Sequence, residues 1–329
     1  MVVDFQHHST PRELFKEDLG DKRILQYDAT GAPSYTSHRL LYDLDAHVEM
    51  MDTAGIDAAF LTSAAGMCVD LERSKFINEK AKQAERDYPG RFIGAAHVHP
   101  LGGTEALKEL ARCSADLGFP GVVICSEFDG IFIDSPEIEP FWTEAEKRGM
   151  FVFIHPALKL NRSEQFNAFD TARAVGREFS LIMCVIRLIN SGVLDRHPNL
   201  TIHMAHLGGG IASMLGRVRS FQNKEFWGTL GNETHGKLPQ RDFDHYLNER
   251  IVFDTAGFAG AIGSLKTALV ELPASRIVFA ADYPQEIRQA SEVKRFVDEI
   301  KALGPQGQQI LSGNVGLLLR DKQPAGASR

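Results

Sequence analysis

Short apolar runs recur along the chain, and the stretches between them carry apolar positions at helical spacing. The runs begin at Val2, Ala58, Phe92, Gly121, Phe151, Leu200, Ile251 and Ile277, and each has the length of a buried strand. Between them lie Leu44 to Ala54, Ser74 to Tyr88, Thr104 to Leu117, Pro136 to Arg148, Thr171 to Ser191 and Leu265 to Val270. In these segments residues three and four apart form one apolar face, and Gly55, Pro89-Gly90, Gly149 and Gly192 supply stops. Eight strands alternating with helices predict an α/β chain, a (β/α)8 TIM-type barrel in a single domain with loop insertions. An open doubly wound sheet would carry a phosphate-binding glycine loop after its first strand. Gly208-Gly209-Gly210 has neither the G-x-G-x-x-G nor the Walker spacing. The polar stretch at about 8–45 is too long for a simple connector and is expected to form a lid. A second excursion is expected at about 221–247, with the barrel covering 1–320 and a tail at 321–329.

Composition narrows the function. With 43% hydrophobic and 24% charged residues, a net charge of −7 and a pI near 6.0, the chain shows no basic surface that would attract nucleic acid or an anionic membrane. Cys68, Cys113, Cys125 and Cys184 lack C-x-x-C spacing and are expected to be reduced thiols. No targeting or membrane-spanning segment stands out, so a cytoplasmic location is expected.

In a barrel the polar residues at strand C-termini converge on one mouth. The first strand ends Gln6-His7-His8, the fifth in His155, the sixth at His206 and the eighth at Asp282. Side chains alternate along a strand, so Gln6 and His8 share a face while His7 points away. Imidazoles and a carboxylate at one mouth suit a divalent metal with positions left open for water or substrate. His203, three residues before His206, is expected to face the helices; His97 and His99 are expected to be structural or to support the site. Glu127 and Asp254 are expected to support ligands or cap helices. The three glycines after His206 are expected to let backbone N–H groups and a ligand approach closely.

The segments Val3-Asp4-Phe5-Gln6-His7-His8, Phe153-Ile154-His155-Pro156, Ser191-Gly192-Val193-Leu194-Asp195-Arg196-His197-Pro198, His206-Leu207-Gly208-Gly209-Gly210, Phe279-Ala280-Ala281-Asp282-Tyr283-Pro284 and Ile310-Leu311-Ser312-Gly313-Asn314 extend over nearly the whole chain. In that order they resemble the amidohydrolase-related branch of the metal-dependent amidohydrolase superfamily, typified by aminocarboxymuconate-semialdehyde and γ-resorcylate decarboxylases. The resemblance implies His8, His155 and Asp282 as metal ligands, with His206 beside the metal-bound water and Asp282 also catalytic. It further implies that Arg217, eleven residues after His206, binds a substrate carboxylate, reaching the site of a neighbouring subunit in a homodimer or higher homo-oligomer. The family's first motif presents His-x-His or Glu-x-His, whereas this chain has Gln6-x-His8. A neutral amide is a weaker ligand, so Gln6 either coordinates loosely, holds a water or supports the shell.

The activity so implied is non-oxidative decarboxylation of an aromatic or unsaturated carboxylic acid, a carbon–carbon lyase reaction. It needs one divalent ion, zinc first with manganese or magnesium as alternatives, and no organic cofactor. The same site could serve a hydrolase of a lactone, amide or ring bond, or a hydratase, with His206 as general base. A third reading is a binding protein whose site has lost its metal through Gln6.

Overall fold

Parallel strands arise here because each apolar run is buried on both faces, so it must be covered by helices outside and by other strands' side chains inside. A computed structural model describes residues 1–27, 31, 33–67, 69–158, 166, 168–223, 225 and 239–319. Val3–His8 pairs with Ala58–Thr62, which pairs with Phe92–Gly94. After Ala95 the same extended run resumes as Ala96–His97, and the order continues through Gly121–Cys125, Phe151–His155, Thr201–Met204, Ile251–Asp254 and Ile277–Val278. The ring closes between first and eighth strands. Phe5 N donates to Phe279 O (3.0 Å), Asp282 N to Gln6 O (3.1 Å) and His8 N to Tyr283 O (2.7 Å). The predicted (β/α)8 barrel is therefore the fold.

Helices flank the strands at Leu44–Ala54, Leu71–Asp87, Gly103–Ala115, Glu139–Lys147, Arg177–Asn190, Ile262–Glu271 and Ala290–Lys301. Asp70 starts the second of these by accepting from Arg73 N at 2.9 Å, which satisfies one orphan donor of the first turn. The predicted helix from Thr171 opens with a wide π-type turn over Ala172–Gly176 before Arg177–Asn190 becomes regular. Such turns redirect side chains at a helix start. In the stretch expected to be a lid, Ile24–Tyr27 and Pro33–Ser37 form an antiparallel hairpin. Most of the second excursion, with the tail at 321–329 and Cys68, lies outside the described residues; Phe243–Glu249 at its end is a helix.

Inside the barrel, beneath the mouth, Phe5, Phe151, Phe153 and His203 pack together. His203 stacks on Phe153 with ring centroids 4.2 Å apart and bonds Asp254 Oδ2 through Nε2 at 2.8 Å. The expectation that His203 faces the helices is thus wrong. The strand ends at Met204 and His206 adopts a left-handed backbone (φ 56°), so simple alternation no longer relates the two histidines and both face inward. A bulge between Asp4 and His7 does similar work in the first strand, letting Phe5 fill the core while Gln6 and His8 still reach the mouth. His7 points away from them as expected, its Nε2 2.9 Å from His47 Nδ1.

Two buried histidines set an acid limit on stability. His97 Nε2 accepts from Ser63 N (2.9 Å) and its Nδ1 donates to Ala95 O (3.1 Å), while His47 donates through Nε2 to Leu40 O. Burial holds their pKa values down, to about 4 and about 3. The unfolded chain therefore takes up protons below about pH 6.5 that the native chain refuses. Stability is full above that pH and is lost as pH falls toward the native values, by up to about 1.4 kcal/mol per pH unit for each group. Urea midpoints measured from pH 7 to 5 should fall steadily; a level midpoint would show that these histidines charge within the fold.

Candidate functional site

The strand-end residues meet as the alternation requires. Gln6, His8, His155, His206 and Asp282 are all buried, and the last four line a cavity of about 310 Å³ together with Tyr35, Arg177 and Glu178. That volume is in the range of small-molecule sites. His8 Nε2 lies 2.8 Å from Asp282 Oδ1; ring centroids are 5.1 Å apart for His8 and His155 and 5.9 Å for His155 and His206.

Hydrogen bonds on the far side of each ring decide which nitrogen faces the cavity. His155 Nδ1 is 2.8 Å from Pro156 O, an acceptor only, so that nitrogen carries the proton and Nε2 keeps its lone pair. His8 Nδ1 lies 2.7 Å from the Thr62 hydroxyl, which itself donates to His7 O at 3.3 Å. With the hydroxyl proton so committed, His8 Nδ1 donates and Nε2 again presents a lone pair, now toward Asp282 Oδ1. That oxygen is buried without a hydrogen-bond donor, as is Gln6 Oε1. Lone pairs facing one another in a buried space repel unless a proton or a cation lies with them. Two nitrogens, a carboxylate and an amide oxygen make a donor set that suits zinc or manganese. Among the described residues no three His, Cys, Asp or Glu side chains already meet at coordinating distance from one point.

His206 differs from its neighbours in having carboxylates around it. Its Nδ1 is 2.9 Å from Glu178 Oε1, its Nε2 3.6 Å from Asp282 Oδ2, and its backbone N donates to Asp254 Oδ1 at 2.9 Å. Burial opposes a charge on the ring, but Glu178 foremost, then Asp282 and Asp254, outweigh it and push the pKa up to about 10. For Asp282 burial likewise opposes charge, but a second proton on a neighbouring ring, His8 first and then His206 and His155, would hold its carboxyl well below the usual range. Burial, with His8 and His206 adding to it, keeps His155 neutral. Gln6 Nε2 is drawn 3.0 Å from His206 Nε2, the orientation that a neutral ring accepts. A protonated ring requires the amide turned over, with its oxygen toward both His206 and His8.

The glycines after His206 serve another purpose than the one expected. A side chain on Gly209 would strike Glu178 O at 2.0 Å, so this glycine lets the sixth strand's end press against the helix that supplies Glu178. Gly257 does the same against the His206 ring, which a Cβ would meet at 2.1 Å. Asp254 both bonds His203 and holds His206, as expected of a supporting carboxylate. Sequence reasoning missed Glu178, Thr62 and Arg177. Each enters from an element distant in sequence, and the one signal for the pair 177–178 is two charged residues opening a mostly apolar helix. Arg217 is exposed on Leu215–Gln222, its guanidinium 4.9 Å over the Phe221 ring, away from its own chain's cavity.

With this fold and site in view, the chain belongs to the amidohydrolase family, whose pattern matches residues 3–306. The γ-resorcylate decarboxylase of Rhizobium radiobacter is 30% identical over 265 residues, 76% of this chain and 79% of that protein. The 2-amino-3-carboxymuconate-6-semialdehyde decarboxylase of Dictyostelium discoideum is 29% identical over 54% of this chain and 51% of its own length. Among solved structures, a dihydroxybenzoic acid decarboxylase from Polaromonas with bound manganese and the inhibitor 2-nitroresorcinol superposes with a TM-score of 0.75. That likeness covers 96% of each chain at 21% identity and concerns the fold. The family resemblance read from the motifs is borne out.

Proposed function

We propose that this chain is a metal-dependent decarboxylase that removes CO2 from an aromatic or unsaturated carboxylic acid. The observation that carries this reading is the Glu178–His206–Asp282 arrangement, an imidazole between two carboxylates beside His8 and His155. Decarboxylation breaks a carbon–carbon bond, leaves the electron pair on carbon and needs one proton delivered there. Glu178 keeps His206 charged, and Asp282, 3.6 Å away, passes the proton on to the carbon. His8, His155 and Asp282 would hold the metal, with the Gln6 oxygen as a weak fourth donor; when bound, the ion would act as electrophile and template for the carboxylate. Manganese in the Polaromonas structure makes it a candidate beside zinc.

Metal analysis of the purified protein, with hydroxylated benzoates screened for CO2 and lactones for acid release, tests the reading. CO2 release that a chelator stops and a divalent ion restores is expected. Acid from lactones without CO2 would make the chain a hydrolase, and a metal-free protein that binds an acid unchanged would make it a binding protein.

The hairpin formed by Ile24–Tyr27 and Pro33–Ser37 acts as the lid, since Ser34, Tyr35 and Thr36 line the cavity. The protein works as a homodimer in which Arg217 serves the partner's cavity. Val175, Phe179 and Met183, four residues apart, are exposed, as are Met214 and Phe221 on either side of Arg217, and a second copy would cover them. Arg217→Ala should raise KM with little change in kcat, and mixing it with His206→Ala subunits should restore partial activity. Mixed dimers no more active than either parent would leave Arg217 a surface residue. Buried cysteines outside any disulfide at Cys113, Cys125 and Cys184 suit a reducing cytoplasm.

A further inference from the structure

Arg177 opens the helix that also carries Glu178, and it lines the same cavity as His8, His155, His206 and Asp282. Its Nη2 donates to Ser34 O on the lid hairpin (2.7 Å) and to Leu158 O after the fifth strand (3.2 Å). These two carbonyls orient the guanidinium but bring no charge. Among the described residues no carboxylate lies within ion-pair distance of it. Of the carboxylates whose charge reaches it, Asp170 bonds Arg173 at 2.8 and 2.9 Å from its Nε, Glu178 bonds His206 through Oε1, and Asp282 lies 2.8 Å from His8 Nε2. Burial lowers the Arg177 pKa only to about 10, so the group stays charged at neutral pH. On the wall contributed by the loop after the eighth strand, Arg288 Nε is buried with no hydrogen-bond partner among the described residues. A guanidinium taken from water without a counter-ion is costly, and its planar fork matches a carboxylate.

Resting on the decarboxylase reading, we infer that Arg177, supported by Arg288, receives a second acidic group of the substrate, distinct from the carboxylate that is lost. The reacting carboxylate must lie against Asp282 and His206 to be replaced by a proton. Arg177 faces the same space from the lid side, tied to Ser34 of the hairpin. The substrate is then a di-acid, and binding its second group couples recognition to the position of the lid. Arg177 is a specificity residue in this scheme, and its removal should weaken di-acids more than mono-acids.

Calorimetric titration of the purified protein with benzoate and with the 1,2-, 1,3- and 1,4-benzenedicarboxylates tests this without turnover. At least one di-acid should bind about tenfold or more tightly than benzoate, as one charge-assisted hydrogen-bonded pair allows. Arg177→Met should abolish that preference by weakening the di-acid about tenfold more than benzoate, and Arg177→Lys should retain part of it because a point charge replaces the fork. If Arg177→Met does not fold, Arg177→Lys and Arg288→Met carry the comparison, each expected to narrow the preference. No di-acid preference in the wild type, or equal weakening of mono- and di-acids in the variants, overturns the inference. A protein that shows the preference yet releases no CO2 overturns the reaction and not the role of Arg177.

Discussion

His155→Ala is expected to lose its metal and, with it, nearly all turnover. His155 occupies the end of the fifth strand, its Nδ1 proton is committed to Pro156 O, and its neutral ring offers Nε2 to the same space as His8 and Asp282. Loss of a hydrogen-bonding partner behind a ligand costs about 10–100-fold in metal affinity, and loss of the ligand itself should cost more. Elemental analysis after dialysis, run beside the wild type, reads the outcome directly. Stoichiometric metal retained in the variant would remove His155 from the ligand set. Gln6→His provides the converse: an imidazole in place of the amide should tighten metal binding, and unchanged affinity would put Gln6 outside the coordinating group.

His206→Ala should behave in the opposite way, keeping the metal while kcat falls by about a hundredfold or more, the usual contribution of a positioned acid or base. The basis is its separate environment, in which Glu178 and Asp282 flank the ring and Asp254 holds its backbone. Glu178→Gln preserves shape but removes the charge that keeps the ring protonated. It should lower kcat by a smaller factor, about tenfold, with KM little changed. Equal activity in His206→Ala and wild type would move the proton-handling role elsewhere. A variant that also sheds its metal would place His206 among the ligands.

The strand-end residues could be read before any coordinates because two periodicities define them. Apolar runs of strand length marked where strands stop, and alternation put Gln6 and His8 on one face with His7 on the other, as the structure has them. The motif order carried the family. Alternation failed at His203, because His206 takes a left-handed backbone that no apolar pattern announces. The glycine run was misassigned for a related reason: close approach was foreseen, but the partner is Glu178 O of a neighbouring helix and not a ligand.

The chain's own pattern of residues therefore determined the barrel, the family and the placing of Gln6, His8, His155, His206 and Asp282 at one mouth, since strand length and side-chain alternation are local properties. Only the tertiary structure decided how those groups are charged and oriented. Thr62 sets the His8 tautomer, Glu178 sets the charge on His206, and Arg177 faces the cavity with no carboxylate of the described residues at ion-pair distance. Each acts across tens or hundreds of residues of sequence, through distances and burial that exist only once the ring of strands has closed.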